Sequence, residues 1–294
     1  MALSKLSGDE QCIIFSQLCN TLDARVAVGY GSASSELWAL TQAQRQQLRA
    51  DHEVAEALSR KAAGMRSCKE LRVATRVVWM NAGLIAADLA TLGTLGSVLP
   101  ALEALTLVES GWAAGPDGVQ RLAEGLGAGA LPAVTFLYLY LPVGDAGASA
   151  LAAALGRGAL PQLKFLNLNH TAIGDVGLVA LAPALRRLPA LEDLNLNYNP
   201  FGDEGLAALV APPPAVGAPP PSTGVLTKLE QLHLNWTQVN DAGCAALAAA
   251  LGSSKGSWSS RALPAFKHLF LGSTPASAAA QEAVQAAVMR RWKR

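Results

Sequence analysis

Six times the sequence runs through the frame L-x-x-L-x-L, and a chain that repeats one strand-forming frame has few folds open to it. The frame opens at Leu102, Val134, Leu163, Leu191, Leu229 and Phe266, in steps of 32, 29, 28, 38 and 37 residues. Three residues on stand Leu105, Leu137, Leu166, Leu194, Leu232 and Leu269, and two further stand Leu107, Leu139, Leu168, Leu196, Leu234 and Leu271. Leucines two apart point to the same side of a strand, so each frame predicts a short strand that buries one face and turns the residues between the leucines outward.

A fixed turn vocabulary follows each strand: GDAG at 144–147, GDVG at 174–177, GDEG at 202–205, NDAG at 240–243 and, more loosely, GPDG at 115–118. Its aspartate is expected to cap the helix that begins there, because a carboxylate accepts from first-turn amides and sits at the positive end of the helix dipole. Helical spacing comes next. Leu122 and Leu126, Leu151 and Leu155, Leu181 and Leu185, and Leu247 and Leu251 are each four apart and embedded in alanine, which suits helices lying close together. Five units return to the next strand through Leu-Pro, at Pro100, Pro132, Pro161, Pro189 and Pro264, where proline ends the helix and tolerates an extended start. Pro183 falls inside a helix and is expected to bend or shorten it.

No single unit can bury its own leucines, so strand, turn and helix must stack into an α/β solenoid with a parallel sheet on one face and helices on the other. In the stretches LKFLNLNHTAIGDVGLVALAPAL (163–185) and LEDLNLNYNPFGDEGLAALV (191–210) the chain resembles leucine-rich repeats of the ribonuclease-inhibitor subfamily, over roughly residues 70–294. The resemblance implies a horseshoe whose concave inner wall is the sheet. Asn199 matches that family's asparagine after the strand, while Ser110, Thr171, Thr237 and Thr274 replace it, so the asparagine ladder is expected only in part.

The ends fit the same picture. Val77–Met80, followed by Gly83-Leu84 and by Leu89 and Leu92, reads as a worn first repeat, and Val284, Val288 and Trp292 share one helical face suited to closing the other end. Two excess lengths, 211–224 and 252–262, read as loops at one rim; the proline-rich first one has no two prolines three apart and reads as a linker. This organisation gives a helical module over 1–70 and the solenoid with degenerate caps over 71–294.

Residues 1–70 carry no repeat and predict helices over Asp9–Leu18, Asp23–Tyr30 and Thr41–Arg60. The line LSGDEQCIIFSQLCNTLDARVAV followed by SSELWAL is similar to an F-box, with Leu6, Glu10, Ile14, Phe15 and Leu18 at that motif's spacing and Trp38 near its tryptophan. Ser7 stands where the motif usually has proline, and the gap to Trp38 is long. The resemblance implies a Skp-type adaptor bound by Leu6, Ile14, Phe15 and Leu18, as in the substrate receptors of cullin-RING ubiquitin ligases. The alternative reading is a helical cap over the first leucines.

Recognition is expected on the residues between the leucines, where side chains are free to vary. Outward positions include Phe136, Tyr138 and Tyr140; Phe165, Asn167 and Asn169; Asn195 and Asn197; His233 and Asn235; and, just past the strands, Glu109, His170, Tyr198 and Trp236. A sheet cannot cover its own open face, and exposed aromatics on it suit a protein partner. Asparagines in adjacent strands can instead satisfy one another.

Other functions find little footing. Net charge is +1 and the last five residues hold four positive charges, so the rest of the chain lacks the basic surface that nucleic acid requires. No phosphate-cradling loop or nucleophile motif occurs, so no catalytic residue and no cofactor is expected, and the chain reads as no enzyme. A GTPase activator of the Ran type, whose solenoid belongs to the same repeat class, is a further alternative. Cys12, Cys19, Cys68 and Cys244 form no C-x-x-C pair and have no histidine at metal spacing, so free thiols and no metal are expected. Glycines and Pro100 break the apolar run 77–102, and no secretory signal is read, so the expected place is the cytoplasm or nucleus, away from membrane.

Overall fold

Each repeated frame forms one strand of a single parallel sheet. The computed structural model describes residues 7–33, 35–111, 113–115, 117–210, 226–252 and 263–292; Leu6, the rim loops expected over 211–224 and 252–262, and the side chain of Trp292 lie outside the described residues, save residue 252. Its seven strands follow chain order across the sheet: β1 (Arg76–Met80), β2 (Ala104–Val108), β3 (Phe136–Tyr140), β4 (Phe165–Asn167), β5 (Asp193–Asn195), β6 (Gln231–His233) and β7 (His268–Phe270). Register is held by the leucines: Leu105 opposes Leu137, then Leu166, Leu194, Leu232 and Leu269 in turn. A slip of one residue would expose this whole row, so burial locks the pairing.

The worn repeat is a true strand. Val77 opposes Leu105 and Trp79 opposes Leu107, so a tryptophan fills a leucine slot, fully buried, and its indole N–H donates to the carbonyl of Leu58 at 3.1 Å.

Behind the sheet lie α6 (Ala86–Leu95), α7 (Asp117–Gly125), α8 (Gly144–Gly156), α9 (Asp175–Leu185), α10 (Asp203–Val210), α11 (Asp241–Gly252) and α12 (Ala278–Trp292), each against its neighbours. Small residues allow this closeness. A Cβ on Gly93 would fall 2.5 Å from the carbonyl oxygen of Leu122, so α6 and α7 touch backbone to backbone. Pro183 lies inside α9, which ends two residues later at Leu185; it removes a backbone donor and crowds the carbonyl four residues back.

The turn aspartates act differently from expectation. Asp175 accepts with Oδ1 from the amides of Gly202 (2.9 Å) and Gly205 (2.7 Å), which open α10, and Asp145 does the same for Gly174 and Gly177 at the start of α9. Asp203 accepts from Asn240, and Asp241 from Ser277. Each carboxylate thus caps the helix of the following repeat, because stacking brings that helix's first amides over it. The aspartates are inter-repeat ties as well as caps.

Each edge strand of the sheet has one carbonyl engaged by a flanking segment. The amide of Ala63 donates to Val78 of β1 (3.0 Å), and the Gln285 carboxamide donates to Leu269 of β7 (2.9 Å), so edge carbonyls gain partners where a second chain could otherwise add. Val284 and Val288 of α12 are buried, as expected. At the other end, α4 (Gln42–Lys61) and α5 (Cys68–Val73) contribute Ala55, Leu58, Cys68 and Leu71 to the same continuous core. A second, smaller core of Phe15, Ala27 and Leu48 joins α4 to α1 (Gly8–Leu18) and α2 (Arg25–Gly31); α3 (Ser35–Leu40) runs beside them. Sequence patterning missed α3 and α5, which are only six residues each.

Candidate partner-binding face

The open face of the sheet carries one row of rings and two further ring pairs. Backbone pairing continues past the strands: the amides of His170, Tyr198 and Trp236 donate to the carbonyls of Asn197, Asn235 and Gly272 one repeat on, at 2.9–3.0 Å. These three residues adopt φ of 57°, 55° and 59°, a left-handed conformation that is unusual for bulky side chains. The turn into the helix layer imposes it, and the inter-repeat bonds hold it. Three successive repeats therefore aim an aromatic or imidazole ring along one line.

That line is continuous. The Tyr140 ring lies 5.5 Å from His170, His170 stacks on Tyr198 at 6.3 Å, and Tyr198 stacks on Trp236 at 5.5 Å with planes only 10° apart. Tyr138 meets Tyr140 edge-on at 6.5 Å, in the arrangement that ring quadrupoles favour. Tyr198 and Trp236 remain 49% and 55% exposed, and no other part of the described chain covers them. Two further ring pairs bridge adjacent strands at different register positions, with Phe136 6.2 Å from Phe165 and His233 stacked on Phe270 at 4.4 Å. His233 also faces the Asp193 carboxylate at 3.5 Å.

The asparagines are committed to the fold more than expected. Asn167 and Asn195 accept from the amides of Asn169 and Asn197, both at 3.0 Å, while Asn197 and Asn235 accept from Asn235 and Gly272 in the next repeat at 2.7 and 2.6 Å. Their oxygens hold backbone donors that a strand without further pairing would leave bare. Asn169 differs: its Oδ1 is buried and finds no hydrogen-bond partner.

Asn199 is the buried hub between repeats. It accepts from Thr171 and Ile173 and donates to Leu168, Leu196 and Asn197. Thr171, Thr237 and Thr274 do part of this work, each hydroxyl donating to the carbonyl three residues back. Glu109 is a correction to the outward row. It is buried, and its Oε1 accepts from Ala82 and Leu84 at 2.9 and 3.0 Å, tying the first repeat to the second. Sequence reading placed it outside because a charged residue just past a strand is ordinarily solvated.

On the N-terminal helices, Phe15 is fully buried and Leu18 packs beside it, so Phe15 is internal and offers no surface to an adaptor. Ile14 is half-buried, whereas Ile13, Val26, Trp38 and Leu40 are exposed. The Arg45 guanidinium lies 3.3 Å from the centre of the Trp38 ring.

One group escaped the sequence reading. His52 and Glu56, a turn apart on α4, meet Cys68 at the start of α5, with one ligand atom of each within 4.8 Å of the others. Spacing along the chain hides this, because Cys68 lies beyond the break that ends α4. Burial, reinforced by the Glu56 carboxylate, pushes the Cys68 thiol up to about 11.

The sequence comparisons agree with the geometry. A leucine-rich-repeat family model matches residues 160–182, 188–210 and 225–248. The fold is a leucine-rich-repeat solenoid. No curated protein matches the chain. A chain from the crystal structure of the yeast Rad7 and Elc1 complex aligns over 90% of this chain and 81% of its own length, with 14% identity and a TM-score of 0.22, a likeness too low to carry an argument. Among the described residues, no helix is long and apolar enough to cross a membrane.

Proposed function

We propose that this leucine-rich-repeat chain is a protein-interaction module that grips a protein partner on the open face of its sheet, with Tyr138, Tyr140, His170, Tyr198 and Trp236 at the centre. One observation supports this above others: rings from four successive repeats line up in a row, and three of them, His170, Tyr198 and Trp236, are exposed and stand on backbone that disfavours bulky residues. Rings so placed add little to the core, and strain of this kind gathers at functional sites. Phe136, Phe165 and His233 extend the surface. With most of their oxygens held by backbone, Asn167, Asn169, Asn195, Asn197 and Asn235 serve at its floor. The solenoid over 71–294 is the recognition unit, and 1–70 its helical cap.

The finer reading, a substrate receptor of a cullin-RING ligase, rests on the N-terminal module. Ile13, Val26, Trp38 and Leu40, each at least 39% exposed although Arg45 lies against one face of the Trp38 ring, favour a docked adaptor there, since exposed apolar side chains suit a protein interface. Ile13→Glu should abolish capture of a Skp-type adaptor without unfolding the chain, whereas Phe15→Ala should destabilise the small core by about 3 kcal/mol. If the folded wild-type chain captures no adaptor, the plain recognition module remains. Stimulated GTP hydrolysis by a small GTPase would select the activator instead. The partner itself is found by affinity purification with mass spectrometry, run in parallel on the wild type and on Y198A/W236A; proteins lost only with the variant are the candidates.

A further inference from the structure

We propose that His52, Glu56 and Cys68 form a zinc site that staples α4 to α5 beneath the solenoid's first repeat. Three observations converge on it. The donor set, one imidazole, one carboxylate and one thiol, is the set that zinc takes, with a fourth position left for water. Its atoms already lie within 4.8 Å of one another, so small side-chain movements bring them to the separations that tetrahedral bonds of 2.0–2.3 Å require. Finally, the imidazole is preset: Nδ1 of His52 lies 2.7 Å from the carbonyl of Thr21, a bond that places the proton on Nδ1 and leaves the Nε2 lone pair free for a metal.

The carboxylate is held in the same way. Glu56 Oε2 accepts from the Cys68 amide at 2.8 Å, which carries thiol and carboxylate together, while Oε1 meets the outer end of Arg60 at 3.3 Å. The Arg60 pair is exposed and weak, so Oε1 can turn to a cation at small cost. Cys68 Sγ has one long contact, 3.8 Å from the Ser59 hydroxyl, and another at 4.0 Å to the His52 carbonyl. A pocket lined by Leu22, Ala24, Val28, Ser67 and Arg72 opens beside the three groups and admits the fourth ligand. Of the cations lining this pocket, Arg25, Lys69 and Arg72, the two arginines are paired to Asp23, at 2.6 and 2.7 Å, which limits their repulsion of a metal. Binding balances as Zn²⁺ plus the thiol giving the zinc thiolate and one released proton.

The test uses the full chain stripped of metal, with Co²⁺ as the spectroscopic probe and Zn²⁺ as its competitor. Expected are one equivalent bound per chain and a near-ultraviolet thiolate-to-cobalt band that zinc abolishes. Cys68→Ser should remove the band, and His52→Ala should weaken zinc binding at least about 100-fold, since even outer contacts to a metal are worth 10–100-fold. Glu56→Gln keeps an acceptor for the Cys68 amide and so should fold, with zinc weakened at least about 10-fold; circular dichroism of each variant separates lost binding from lost fold. A band that persists in Cys68→Ser, one lost instead in Cys19→Ser or Cys244→Ser, or no band at all in the folded wild type overturns the proposal. So does zinc affinity that is unchanged in a folded Glu56→Gln.

Discussion

Replacing Asp175 by alanine separates a carboxylate that caps its own helix from one that caps its neighbour's. In the structure Oδ1 accepts two amides of the following repeat, Gly202 at 2.9 Å and Gly205 at 2.7 Å. Hydrogen bonds to a charged group contribute about 1.5–3 kcal/mol each, and the partly buried setting lets water replace some of that, so D175A is expected to cost about 2–4 kcal/mol. Asp175→Asn, which keeps an acceptor without the charge, should cost about 1 kcal/mol. The loss falls on the joint between two units of a one-dimensional stack, so the repeats beyond it should unfold at lower urea and the transition should broaden or split. Hydrogen exchange locates the damage: Gly202 to Leu206 lose protection in D175A, while Val176 to Leu178 keep theirs. Protection lost first within α9, or a cost below about 0.5 kcal/mol, would refute the inter-repeat role.

Ring-row truncations Y138A, Y140A and W236A should each weaken the partner complex by about 1–3 kcal/mol in a titration, with folding retained. At position 236 the left-handed backbone adds a second signature: W236G and W236A should bind equally poorly, yet the glycine variant should be the more stable by about 1 kcal/mol in urea unfolding. Trp79→Phe strands the Leu58 carbonyl and leaves a void in the core, so unfolding should show a loss of about 2–4 kcal/mol, with exchange protection falling first along α4.

Much of this architecture was legible in the letters. Leucines two apart, turn glycines and alanine-rich helices recurring in phase leave a chain few ways to bury its apolar surface, and the strands fall where the frames predict. The outward rings were legible too, since a residue between two buried leucines must point away. Glu109 was misread because its buried partners, the amides of Ala82 and Leu84, lie 27 and 25 residues away and no local pattern announces them. Phe15 was misplaced for a similar reason: a motif spacing names a residue, but the packing of α1, α2 and α4 decides which side of it faces in.

By itself, then, the sequence determined the repeat, the strand and helix of each unit, and which side chains within the strands face away from the core, because those follow from short-range periodicity and the need to hide leucine. Tertiary structure alone decided which helix each aspartate caps, that Trp79 seals the first repeat against Leu58, that His170, Tyr198 and Trp236 line up in one stack, and that His52, Glu56 and Cys68 meet. Each of these joins residues from different units or helices, and the distance between them is set by how the layers stack rather than by any spacing along the chain.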